Sequence, residues 1–164
     1  MVNIIISCTK NGGVAFNDKI PWNIPSELKL SEIIINNSNI IMGYNTWEKN
    51  KLKPIMNCNN IVLTTSKEKT EQIKKNYKNV QVYNNINDVI VKYNNNCSFF
   101  IGGVSIFNYL IENNLITNLY INIIHDKYNT NLYIDLDKLK SLEHQIISRQ
   151  VFKEFTHLHV SFVK

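Results

Sequence analysis

No stretch of the chain approaches the roughly 20 consecutive apolar residues that a membrane-spanning helix requires, so a membrane partner is not expected. Cysteine is scarce: Cys8, Cys58 and Cys97 are odd in number and lack metal-ligand spacing, which argues against a disulfide framework and a thiolate metal centre alike. No metal site is therefore expected. Arginine is almost missing, with Arg149 the only one in 164 residues. The short apolar start at residues 2–7 has no basic segment before it, so no secretory leader is read there. No Gly/Ser/Pro-rich linker and no internal repeat breaks the chain, and its length suits one domain over residues 1–164. These absences leave a soluble, cytoplasmic monomer as the expectation.

The residues present point to a globular protein, with 44% hydrophobic and 19% charged. Asn makes up about one residue in six, and with Ile and Lys reflects A/T-rich codons, so the Asn clusters read as genome bias. The net charge of +5 suits an anionic partner such as a phosphorylated cofactor. The lysines are scattered, however, and the densest stretch, 67–78, reads as the solvated face of a helix. Nucleic-acid binding rests on net charge alone and is not expected.

Apolar runs at 2–9, 39–42, 60–64, 80–83, 98–101, 119–124, 145–152 and 157–163 read as strands. Between them, 24–35, a segment from Asn45, 67–76, 86–93 and 104–113 read as helices, with Asn23 as the N-cap of the first and Pro25 in its first turn. Residues 10–22 carry Gly12, Gly13, Asn17, Asp18 and Pro21 and read as a loop. Strands and helices alternate early and strands dominate late. That grammar implies an α/β fold with a mostly parallel central sheet of about eight strands and an antiparallel C-terminal edge.

Ligands of such sheets bind beyond the carboxyl ends of the strands. Three segments lie there. In 20–28, Glu27 sits in the first turns of a helix: buried, it would bind an amidine-like ring and have a perturbed pKa, whereas exposed it would only favour the helix dipole. The segments 40–48 and 99–107 each run strand, glycine turn, helix start, a pattern that offers free backbone N–H groups to an anion.

Pro21-Trp22-Asn23-Ile24-Pro25-Ser26-Glu27-Leu28, then Ile41-Met42-Gly43 with Thr46-Trp47-Glu48, then Ile101-Gly102-Gly103, resemble in order and spacing the successive signatures of the dihydrofolate reductase family. The resemblance spans essentially the whole chain. It implies NADPH-dependent reduction of 7,8-dihydrofolate to tetrahydrofolate, by hydride transfer to the pterin C=N bond and protonation at N5, in support of thymidylate and one-carbon metabolism. By that resemblance Glu27 is the ionisable group of the pterin pocket, Trp22 holds a water beside it, and Ile20 closes from a mobile loop. Ile5, Leu28, Ile55, Ile101 and Phe107 would wall the ring, with Ser31 and Asn122 also lining it. Ser7, Ala15 and Ile20 would meet the nicotinamide. Gly43, Tyr44, Asn45 and Thr46 would hold the cofactor phosphates from one turn, and Gly102, Gly103, Val104, Ser105 and Ile106 from the other. Thr64, Thr65 and Ser66 would flank the adenosine.

The departures from the family pattern are specific. Cys58 stands where an Arg usually grips the folate glutamate, Ser31 where an aromatic packs on the benzoyl ring, and Glu32 follows it. Tyr44 replaces an Arg that meets the 2′-phosphate, and Asn122 replaces the Thr that supports the acid. Two further readings keep the scaffold: a reductase of another pteridine or flavin precursor without a glutamate tail, and a non-catalytic ligand-binding module.

Overall fold

The computed structural model describes residues 1–164. The chain runs β1 (Asn3–Thr9), β2 (Gly13–Ala15), α1 (Pro25–Ile35), β3 (Asn39–Gly43), α2 (Tyr44–Lys49), β4 (Asn59–Leu63), α3 (Lys67–Asn76) and β5 (Gln81–Tyr83). It continues with α4 (Ile86–Lys92), β6 (Ser98–Gly102), α5 (Val104–Glu112), β7 (Asn118–Ile124), β8 (Leu132–Tyr133), α6 (Leu136–Ser141), β9 (His144–Val151) and β10 (Phe155–Phe162). Eight strands form one sheet in the order β5-β4-β3-β6-β1-β7-β10-β9. Pairing is parallel from β5 through β7 and antiparallel at β7–β10 and β10–β9, the α/β arrangement expected from the sequence.

The Ile-rich strands are buried on both faces, which is why they read as continuous apolar runs. Alternation divides them: Ile4 and Ile6 of β1 join Val104, Phe107, Leu110 and Ile111 of α5 in a cluster of 20 buried residues. Ile5 points the other way, into a cluster of nine with Ile35 of α1, Trp47 of α2 and Ile73 of α3. At about 1.5–3 kcal/mol for each large apolar side chain buried, these two layers hold the helices to the sheet. No helix is long and apolar enough to cross a membrane.

Two local expectations need correction, and one helix goes unread in the sequence. Asn23 does not cap α1: the N-cap is Ile24, extended at φ −124° and ψ 97°, with no side-chain cap. Pro25 explains this, since a proline drives the residue before it out of the helical region and so makes Ile24 the boundary. The segment 10–22 is not simply loop, because it holds β2, which pairs with β8. It also holds a two-residue turn, Asn17 and Asp18 at φ 46° and 64°, closed by mutual backbone bonds between Phe16 and Lys19. Finally α6, capped by the Asp135 side chain, is too short to show a helical period in the sequence.

Candidate active site

Glu27 is the only carboxylate among the buried residues, 6% exposed in the first turn of α1. It lies over the middle of the sheet, where Ser7 of β1, Asn122 of β7 and His157 of β10 stand side by side in register. The Ser7 hydroxyl donates to Glu27 Oε1. Asn122 Nδ2 donates to Ser7 Oγ at 3.3 Å and to Ser31 Oγ, one turn after Glu27, at 3.5 Å. His157 Nδ1 meets Asn122 Oδ1 at 2.7 Å. Burial raises the Glu27 pKa above that of a free glutamate, and the Ser7 and Asn122 bonds partly counter it. Burial, then neighbouring His159, keeps the His157 pKa below the usual imidazole value.

The apolar residues expected around the acid divide. Ile5 is buried beside α1 and α2, and Ile55 and Ile101 pack half-buried against the same cluster. Leu28 faces outward at 53% exposure, on the open side of α1. Trp22 is buried with Ile24, Ile124 and Phe155 and meets Tyr128 edge-on at 5.7 Å. Ala15 is buried in β2. Ile20 lies 64% exposed between the Asn17–Asp18 turn and α1, outside the apolar clusters. Phe107 is a correction to the expected ring wall: it packs with Ile4 and Ile6 on the sheet face opposite Ile5. The cause is helical period, since residues 104, 107, 110 and 111 form the stripe that α5 buries.

Because β3 pairs with β6, their two glycine turns lie side by side. A methyl at Gly102 would stand 3.1 Å from Thr46 Oγ1, one at Gly103 3.4 Å from the same atom, and one at Gly43 3.2 Å from Ile106 Cδ1. Gly102, joined to Gly103 by a cis peptide, has φ +145°, a region side-chain-bearing residues rarely adopt. The closeness of the two turns and this backbone both require glycine. Tyr44, Asn45 and Thr46 open α2, and Val104, Ser105 and Ile106 open α5; Val104 is buried beneath its turn, whereas Asn45 and Ser105 are exposed.

The caps discriminate among the helices. Neither α2 nor α5 has a side-chain N-cap or an acidic residue in its first turn. By contrast Ser66, Asn85 and Asp135 cap α3, α4 and α6. The adjacent turns of α2 and α5 thus leave backbone N–H donors free and carry no negative side chain, a fit for an anion such as a pyrophosphate. Thr64, Thr65 and Ser66 follow β4 next door. Thr64 Oγ1 accepts from Ser66 N at 3.2 Å, and Ser66 Oγ from Lys69 N at 3.2 Å. Lys69 then folds back so that its Nζ lies 4.4 Å from the Tyr44 ring centre.

Sequence reasoning missed His157 and Lys69. His157 carries no local signal, because its partner Asn122 is 35 residues away and only strand register joins them. Lys69 was one lysine among several on a charged helix; its position three after the Ser66 cap is the signal that marks it as facing the β4 turn. The whole arrangement can bind an N–H-rich ring at the buried acid and an anion at the paired turns.

A family model described as Dihydrofolate reductase matches residues 1–164. The chain is 32% identical over 130 residues to dihydrofolate reductase of Buchnera aphidicola subsp. Acyrthosiphon pisum, covering 77% of each chain. It is 29% identical over 137 residues to that of Ureaplasma parvum serovar 3, covering 84% of this chain and 83% of the relative. Among solved structures it resembles dihydrofolate reductase from Enterococcus faecalis complexed with NADP(H) and RAB-propyl, at a TM-score of 0.75 and 19% identity, over 99% and 95% of the two chains.

Proposed function

The chain belongs to the dihydrofolate reductase family, and from that premise we propose that it reduces 7,8-dihydrofolate to tetrahydrofolate with NADPH, serving thymidylate and one-carbon metabolism. The observation that carries the reading is Glu27, the one buried carboxylate, set among groups that donate to it or to its partners. Its free carboxylate capacity accepts the 2-amino and ring N–H groups of a pterin. That pairing orients the ring and, by stabilising positive charge there, favours the proton that N5 takes from solvent. NADPH supplies the hydride when bound. The uncapped first turns of α2 and α5 would hold its pyrophosphate, Ser7 and Ala15 its nicotinamide, and Thr64, Thr65 and Ser66 its adenosine. Lys69, poised over Tyr44, would give the 2′-phosphate the cation that Tyr44 lacks. The loop through Ile20 would exclude water over the ring.

A second reading, reduction of a pteridine without a glutamate tail, draws support from Cys58. Its thiol donates to the Ile35 carbonyl at 3.2 Å, and no guanidinium stands nearby to grip a carboxylate.

The test is loss of reduced-nicotinamide absorbance with dihydrofolate, then with a tail-less dihydropterin, offering NADPH and NADH in turn. Wild type should turn over with NADPH, and Glu27→Gln should lower kcat/KM about 10²–10³-fold at neutral pH. The loss should shrink as the pH falls and solvent protonates the substrate itself. Absence of turnover with either cofactor and either substrate sinks both readings and leaves a non-catalytic binding module.

A further inference from the structure

We propose that His157 is a positioning residue for Glu27: its Nδ1–H fixes the Asn122 carboxamide in the orientation that turns Nδ2 towards Ser7, Ser31 and the acid. The proposal rests on Glu27 being the acid of the site. A carboxamide has nearly the same shape either way round, so its orientation is set by its hydrogen-bond partners. On the α1 side the choice is forced. An ionised Glu27 only accepts, and the Ser7 hydroxyl spends its proton on Glu27, so Ser7 Oγ needs a donor and receives Asn122 Nδ2 at 3.3 Å. Asn122 Oδ1 must then find a donor on its other side, and His157 Nδ1 is 2.7 Å away.

The result is one directional chain across three strands: His157 N–H to Asn122 Oδ1, Asn122 Nδ2–H to Ser7 Oγ, Ser7 O–H to Glu27. Every donor points towards the carboxylate, which favours its ionised form. Were His157 protonated on Nε2 instead, its Nδ1 lone pair would attract Nδ2 and swing Oδ1 towards Ser7. A serine hydroxyl cannot donate to Oδ1 and to Glu27 at once, so the acid would lose support. His157 is 6% exposed and stacked by Tyr120, which also stacks on His159 at 4.3 Å, so its ring is held in place beside Asn122. Ser7 from β1 and Asn122 from β7 act on Glu27; Ser31 from α1 and His157 from β10 bond Asn122, and Tyr120 from β7 and His159 from β10 stack beyond them. Of these only Tyr120 and the two histidines titrate besides Glu27; burial raises the Tyr120 pKa and lowers those of both histidines.

The experiment is a carbon-13 NMR titration of the Glu27 carboxyl in the ligand-free protein. His157→Phe should raise the Glu27 midpoint by about one pH unit, the scale of one lost hydrogen bond to a charged group. His157→Gln, whose amide can donate to Asn122, should restore most of the shift. With Asn122→Thr, which has no amide to orient, the His157→Phe change should leave the midpoint still. A Glu27 midpoint unmoved in folded His157→Phe overturns the proposal. So does nitrogen-15 NMR of wild type showing His157 protonated on Nε2, a result that needs no variant to fold. Both readings are made without turnover, so they stand apart from any failure to reduce dihydrofolate.

Discussion

The two ends of the substrate cleft are built on opposite plans. At the inner end, Glu27, Ser7, Asn122 and His157 are held by an unbroken sequence of hydrogen bonds spanning α1 and three strands. At the outer end, where the close of α1 meets the loop 50–58, the polar contacts are local. The Asn57 carbonyl accepts from Asn37 N at 2.9 Å, Cys58 donates to Ile35 O, and Asn60 pins Ile55. Large apolar side chains stand out to solvent here beside charged ones such as Glu32 and Lys51: Leu28, Ile33, Leu52 and Met56 are all more than half exposed. Directional bonds in a buried site read the shape and protonation of a ring, whereas exposed apolar side chains accept whatever covers them. Under the proposed function, the chain would discriminate by ring chemistry and be permissive about what the ring carries.

Removing the inner end's central partner tests that contrast most severely. Asn122→Leu leaves Ser7 Oγ without its donor and His157 Nδ1 without a partner and should lower kcat/KM by roughly 100-fold, with about 1–3 kcal/mol lost in chemical denaturation. A loss under threefold would mean that the inner network is packing and not function. At the outer end, Cys58→Arg should supply the missing fork and lower the KM for dihydrofolate by about tenfold, with a tail-less pterin unaffected. Equal improvement for both substrates would show that the arginine acts on general charge and not on a carboxylate tail.

The smallest effect concerns stability. Burial raises the Glu27 pKa in the folded state, so the folded chain binds more protons than the unfolded one between the two pKa values. The contribution of Glu27 to stability is thus fully present below about pH 4.3, its unfolded pKa, and is lost as the pH rises through the folded value. Glu27→Gln, free of that loss, should melt higher at pH 7 and equal wild type under acid conditions. A mutant less stable than wild type at pH 7 would mean that the Ser7 and Asn122 bonds outweigh the cost of burying the charge.

Much of this was legible in the sequence wherever the signal is local. Runs of β-branched residues marked the long strands, and the charged period of α3 marked that helix at its observed bounds, Lys67–Asn76. The glycine turns were legible too, because a turn that admits no side chain leaves glycine in the chain. Glu27 was visible as a residue but not as a buried one, since an acid in a first helical turn serves the dipole equally well in water. What the sequence could not show depends on register between distant strands. His157 becomes part of the site only because β10 is antiparallel to β7 with that residue opposite Asn122. Phe107 was misplaced for a different reason: the period of α5 puts it in the buried stripe, but a turn's sequence does not reveal which sheet face the following helix covers.

The missing caps at α2 and α5 reach beyond the chemistry. Each uncapped helix start forgoes about 1 kcal/mol that a Ser or Asp would provide. A phosphate-bearing ligand seated there, as the proposed function requires, would restore it, and at a hundred times its Kd would add about 2.7 kcal/mol to apparent stability. The fraction of molecules open to a protease at any instant falls by the same factor. Deprived of that ligand the protein would be cleared sooner; supplied with it, it would persist. Under the proposed function, its abundance in the cell would thus follow the concentration of the cofactor.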